Sequence, residues 1–265
     1  MEMSLPNHCS LRTPSSPHHR RSRSRRARLR TRRSAPAPAA AAAAAEEEEE
    51  EAVEIRVCVN RTCARQGSRG VLAALAGLAP AGVAVAACGC LGRCGAGPNL
   101  AVLPRGALVG HCGTPARAAQ LLADLCGPRF DPRANLEALA LRKKGEDELE
   151  RGSPAEAETL LSQAIDLNPS GGLHFMYRSR SAARLAIGNI AGALADATEA
   201  SKIAPDYPQA YLSQGDAFLA MEEWDAAEKA YSTALHLDPL LRRSKSFKAR
   251  VAKLQEKLTT VSASS

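Results

Sequence analysis

Apolar and polar residues alternate with period two in Val53-Glu-Ile55-Arg-Val57-Cys-Val59, which predicts a strand with one buried face. From Ser68 the spacing becomes helical and runs to Leu78, with Ser68 at the N-cap and Gly77 near the end. Val83 to Ala87 reads as a second strand. Leu100 to Leu103 and Ala107 to Val109 read as two more around a turn at Pro104-Arg-Gly106, and Thr114 or Pro115 opens a helix reaching Leu125. The predicted order is β, α, β, β, β, α. Residues 70–92 carry no charge, yet Gly77, Pro80 and Gly82 interrupt them, so a helix, turn and strand are expected there and not a membrane span.

Beyond this region the pattern is helical throughout, and it repeats. Gly145, Ala157, Leu161, Ala164 and Pro169 stand at spacings of 12, 4, 3 and 5, and two further sets keep them: Ser181, Ala193, Ala197, Ala200 and Pro205, then Gly215, Ala227, Tyr231, Ala234 and Pro239. Pro205 to Pro239 is 34 residues and Pro169 to Pro205 is 36, with Gly171-Gly172 as the insertion. Each repeat predicts a helix A (Leu139 to Glu150, Phe175 to Ile187, Gln209 to Met221) and a helix B (Pro154 to Leu167, Ile190 to Ile203, Trp224 to Leu237). A final amphipathic helix carries Phe247, Val251, Leu254 and Leu258 on one face and Arg242, Arg243, Lys245, Lys248, Arg250, Lys253 and Lys257 elsewhere. It is expected to cap the last repeat.

Charge divides the chain differently. The net charge is +7, but residues 1–45 hold ten Arg and Glu2 alone among acids, giving +9 and leaving −2 for the rest. A globular basic surface is therefore not expected, and neither is a nucleic-acid partner. Residues 1–51, an Arg/Ser/Pro-rich start followed by an Ala run and Glu46 to Glu51, read as a transit peptide and disordered linker; the rival reading is a basic nuclear or nucleic-acid arm. Import into the chloroplast stroma is expected, with the mitochondrion as alternative. All nine aromatic residues lie at Phe130 or later. The segment before it must pack without a ring, so a metal or crosslink is expected to help it fold.

Six cysteines crowd into residues 58–112. Cys58-x4-Cys63 and Cys90-x3-Cys94 form two close pairs able to offer four thiolates to a zinc ion or a [2Fe-2S] cluster, and spacing alone does not separate these. The loop glycines Gly89, Gly92, Gly95 and Gly97, with Pro98, allow backbone N–H groups close to sulfur. Cys88 and Cys112 read as small buried hydrophobes and His111 as structural, while Cys9 lies in the leader and Cys126 at a helix end.

Val57-Cys-Val-Asn-Arg-Thr-Cys63-Ala-Arg-Gln-Gly-Ser68, followed by Cys90-Leu-Gly-Arg-Cys-Gly-Ala-Gly-Pro-Asn99, resembles the thioredoxin-like [2Fe-2S] ferredoxins. That resemblance implies a cluster with Cys58 and Cys63 on one iron and Cys90 and Cys94 on the other; zinc is the alternative. The small-residue and Pro columns resemble the tetratricopeptide repeat. The whole resembles plant organellar proteins that join such a ferredoxin module to a short repeat array. It implies a multidomain chain: an α/β thioredoxin-like ferredoxin domain at 52–130, an all-α superhelix of three repeats plus a capping helix at 135–258, and a disordered tail at 259–265.

Such arrays bind peptides in a groove lined by the A helices, here presenting Arg142, Glu146, Arg178, Ser179, Gln209, Ser213 and Asp216. Three repeats and a cap resemble the clamp domains that grip chaperone C-termini. Of the clamp columns only Arg142 keeps a charge, and Glu146 is expected to repel a carboxylate, so a protein partner other than a chaperone is expected. No catalytic motif is present, so an enzyme is not expected. The function expected is a cluster-carrying interaction adaptor. The alternatives are a pure scaffold with a structural metal, or an accessory electron-transfer subunit of an oxidoreductase.

Overall fold

The computed structural model describes residues 52–264, with side chains to 259; the leader and Cys9 lie outside the described residues. Four strands form one sheet: β1 (Val53–Cys58), β2 (Val83–Cys88), β3 (Leu100–Leu103) and β4 (Ala107–Val109). Their order is β2-β1-β3-β4, with β1 parallel to β2 and the other pairs antiparallel. In β1, Ile55 and Val57 are fully buried, and outward-facing Glu54 and Arg56 pair at 2.8 Å. α1 (Arg61–Arg65) follows, then α2 (Ser68–Leu78) and α3 (Pro115–Cys126), which share the sheet's apolar core through Val71, Leu75, Ala118 and Leu122.

That core is not ring-free. Phe130 and Leu139 complete it from the connector and from α4 (Pro132–Arg151). The first A helix thus begins at Pro132 and not at Leu139. Asp131 sets the start: its carboxylate accepts from the N–H groups of Arg133 and Ala134, and Pro132 occupies a first-turn position that needs no donor.

α5 (Pro154–Asp166), α6 (Leu173–Ala186), α7 (Ile190–Ile203), α8 (Pro208–Ala220) and α9 (Trp224–Leu237) complete three antiparallel pairs with α4. The small columns are the contact between partners: Ala157, Ala164, Ala193, Ala197, Ala200, Ala227 and Ala234 have no exposed surface. A Cβ on Gly145 would stand 2.8 Å from Leu161, and one on Gly215 would enter the Tyr231 ring. Ser181 fits the same column because its hydroxyl donates to the Ala193 carbonyl at 2.7 Å.

The Gly171-Gly172 insertion serves the junction between modules. A Cβ on Gly171 would strike the carbonyls of Leu78 and Ala79, and one on Gly172, at φ +74°, would strike that of Gly77. Asn135 fastens the same point, donating to Ser170 Oγ at 3.3 Å and accepting from the N–H of Gly171. α10 (Lys245–Ser264) packs Phe247 and Leu254 against Tyr231, Leu212 and Leu219. It continues to Ser264, so the tail expected to be disordered from 259 is helical. No helix among the described residues is long and apolar enough to cross a membrane.

Candidate functional site

β1 delivers Cys58 at its end, and α1 places Cys63 one turn beyond an Asn60 cap. Both are buried, whereas Cys90 and Cys94 lie exposed in the loop after β2. The thiols fall in two pairs: Cys58 and Cys63 act on each other's ionisation, and Cys90 Sγ lies 3.6 Å from Cys94 Sγ. Two thiolates on one tetrahedral metal stand about 3.7 Å apart for bonds of about 2.3 Å, so the second pair has the right reach.

Donors surround the sulfurs. Gly92, in the left-handed region at φ +80°, aims its N–H at Cys90 Sγ (3.4 Å), and Asn99 Nδ2 points at Cys63 Sγ (3.7 Å) while donating to the Arg93 carbonyl at 2.6 Å. Gly97, joined to Pro98 by a cis peptide, packs against Cys63 Sγ and Gln66; Gly89 and Gly95 face open space. Burial acts to raise the Cys58 thiol, but the N–H groups of Asn60 and Leu91 and the Cys63 thiol outweigh it and hold Cys58 below the usual thiol range. Cys63 is raised by burial and by charge on Cys58, and Cys94 by its bond to Cys90.

Among the described residues no group of three or more His, Cys, Asp or Glu is placed to hold a metal ion, and charge on Cys63 and Cys58 adds to the raising of the Cys94 thiol. Cys112 is buried in the core, as a small hydrophobe. Cys88 is only half-buried; it faces Cys58 in register, and charge on Cys58 and Cys63 adds to burial in raising its thiol.

The groove residues fall into two groups. Arg142, largely buried, bonds Glu146 at 2.9 Å, and Glu146 accepts from the buried hydroxyl of Ser179 at 2.9 Å. The Arg142 guanidinium also lies over the Phe175 ring at 5.3 Å and packs beneath Gly77. Further along, Arg178, Ser213 and Asp216 line a cavity of about 230 Å³. Asp216 is neutralised by Arg250 from α10, at 2.8 and 2.9 Å, and accepts from the Tyr231 hydroxyl. Arg250 therefore points inward and is not part of a solvated basic face. Among the described residues Arg178 has no ionic or hydrogen-bond partner. Gln209, half-buried one turn before Ser213, belongs to neither group.

Periodicity did not reveal the rings at the groove's first end. His174 and Phe175 each meet Tyr207 edge to face, with Phe175 and Tyr207 centroids 5.2 Å apart. Neither Phe175 nor Tyr207 falls on a repeat column, so no spacing marks them.

The family model of the tetratricopeptide repeat matches residues 142–208, 183–242 and 212–255. Over these residues the helical array is similar to tetratricopeptide repeats. It is similar to the "Protein STIP1 homolog" of Dictyostelium discoideum, 38% identical over 77 residues, which is 29% of this chain and 13% of the relative. It is also similar to the "Hsp70-Hsp90 organizing protein" of Triticum aestivum, 36% identical over 98 residues, 37% of this chain and 16% of that protein. The chain thus spans less than a fifth of these relatives' lengths. Among solved structures, "First TPR of Spaghetti (RPAP3) bound to HSP90 peptide SRMEEVD" aligns with TM-score 0.42 at 24% identity, covering 47% of this chain and 97% of that domain.

These relatives overturn the expectation that a chaperone carboxylate binder is excluded. The exclusion rested on the clamp columns, where only Arg142 keeps the charge, and on Glu146 as a repelling charge. Glu146 is instead held by Arg142 and Ser179, which offset it.

Proposed function

We propose that the chain is a protein-interaction adaptor whose tetratricopeptide groove captures an acidic C-terminal peptide of the kind displayed by chaperones. One observation carries this reading. Arg178 is the groove cation left without an acidic partner among the described residues, while Arg142 and Arg250 already hold Glu146 and Asp216. A guanidinium beside the neutral donor Ser213 suits a forked grip on carboxylate. The likeness to a Hsp70-Hsp90 organizing protein supports the partner class.

The module at 52–130 is proposed to be thioredoxin-like and to hold a [2Fe-2S] cluster on Cys58, Cys63, Cys90 and Cys94. The sheet order and the two thiol pairs support this. When bound, the cluster would supply one-electron redox chemistry and a staple for a small core. The chain's own part is to favour the thiolate of Cys58 and to aim the donors of Asn99 and Gly92 at sulfur. Chloroplast import by the leader remains part of the proposal.

Calorimetric titration of the full chain with SRMEEVD and with its C-terminal amide tests the groove reading. The free acid should bind, the amide should bind about tenfold or more weakly, and Arg178→Glu should abolish binding without loss of helicity. Equal binding of the peptide by Arg178→Glu would overturn the assignment.

A further inference from the structure

The segment that carries the thiols is the longest acid-free stretch among the described residues. Between residues 57 and 123 there is no Asp, Glu or Lys, but there are six arginines: Arg61, Arg65, Arg69, Arg93, Arg105 and Arg117. The −2 balance of the chain beyond the leader conceals this, because the acid-free +6 stretch is offset by −6 in residues 46–56 and −2 in residues 124–265. In the helical array several arginines meet acids: Arg151 pairs with Glu148, Arg180 with Asp196, and Arg184 with Glu158 and Asp196. Arg61, Arg65 and Arg69 are exposed and have no such partner among the described residues.

These three converge. Arg61 and Arg65 lie one helical turn apart on α1, on either side of Cys63, and Arg69 begins the next helix. With Val59 and Ala64 they line a single open cavity of about 420 Å³. Three like charges left unpaired around one concavity repel each other, and a partner that brings carboxylates relieves that repulsion.

We infer that the Arg61, Arg65 and Arg69 face is a docking surface for an acidic patch on a second protein, seated beside the Cys58 and Cys63 pair and separate from the peptide groove. Neutral walls of Val59 and Ala64 suit a protein edge. A nucleic acid is the weaker fit, because no aromatic side chain stands in residues 57–123 to stack a base. The inference does not depend on what the groove binds or on the metal at the thiols.

Hydrogen exchange on the full chain tests it, with a soluble oligo-glutamate peptide as probe and oligo-uridylate of equal length in parallel. Oligo-glutamate should protect the amides of 61–69, and the triple exchange Arg61→Glu, Arg65→Glu, Arg69→Glu should remove that protection and weaken binding about tenfold. Exchange of Lys248 and Lys253 to Glu in α10, or of Arg21, Arg23 and Arg25 to Glu in the leader, should leave the protection at 61–69 in place. Protection confined to α10 or the leader would overturn the assignment. So would stronger protection of 61–69 by oligo-uridylate, which would make the face a nucleic-acid site. The groove reading is judged separately, by SRMEEVD binding to the same triple variant, which should be unchanged.

Discussion

The carbonyl of Gly77, in the last turn of α2, occupies the place where a Cβ on Gly172 would stand, so the backbone of the repeat array lies directly on the backbone of the sheet module. Phe130 and Leu139 cross the same junction into the core of the sheet. The two modules are one packed unit there and not beads on a linker.

Gly172→Ala should therefore be costly. Strain at φ +74° and the steric conflict with Gly77 together predict about 3 kcal/mol or more. Gly188→Ala, at φ +87° with open space around it, should cost only about 1–2 kcal/mol. Chemical denaturation of both variants checks the difference, and equal losses would mean that the contact carries no energy.

Phe247 is the cap's anchor, 6% exposed and edge-on to Tyr231 at 6.3 Å. Phe247→Ala should cost about 3–5 kcal/mol, with faster hydrogen exchange in α8 and α9 and little change in the sheet. Uniform acceleration across both modules would show that unfolding is not graded from the cap.

His174 is held below its usual range by burial, aided by the nearby Arg142 charge and opposed by Asp206. Its folded pKa lies below its unfolded value, so the unfolded chain takes up the proton first. Stability is full above the unfolded pKa of about 6.5 and declines as pH falls through the window below it. His174→Phe should flatten that part of the stability profile, and an unchanged slope would place the titrating group elsewhere.

On the proposed cluster, Cys94→Ser should abolish the colour of protein reconstituted with iron and sulfide. Asn99→Ala should keep the colour but lower the reduction potential, because a donor that favours the more negative reduced state is removed from Cys63. Voltammetry reads the shift. A colourless wild-type chain holding one zinc would defeat the cluster proposal.

Much of the architecture was legible because it rests on local periodicity. Strand β1 follows from alternation, and the repeat helices follow from small residues whose Cβ volume sets the approach of two helices. What was not legible depends on distant pairs. Nothing near Pro132 announces that the first A helix also serves another core, and the Gly171-Gly172 insertion reads as a length change until Gly77 is seen against it. The site divides in the same way. Cysteine spacing marked the thiol pairs, but Arg250 looked like solvated charge because its partner Asp216 is 34 residues away. Glu146 looked repulsive because Ser179, which shares its charge with Arg142, sits on another helix.

The central claim is that Arg178 is the groove's anion anchor. Following the Arg178 Nε–H resonance during titration of the full chain with SRMEEVD tests it most directly. A saturable shift of that resonance, absent with the C-terminal amide, is the predicted result. Binding with the Arg178 signal unmoved, and shifts confined to Arg142 or to residues 61–69, would contradict the account.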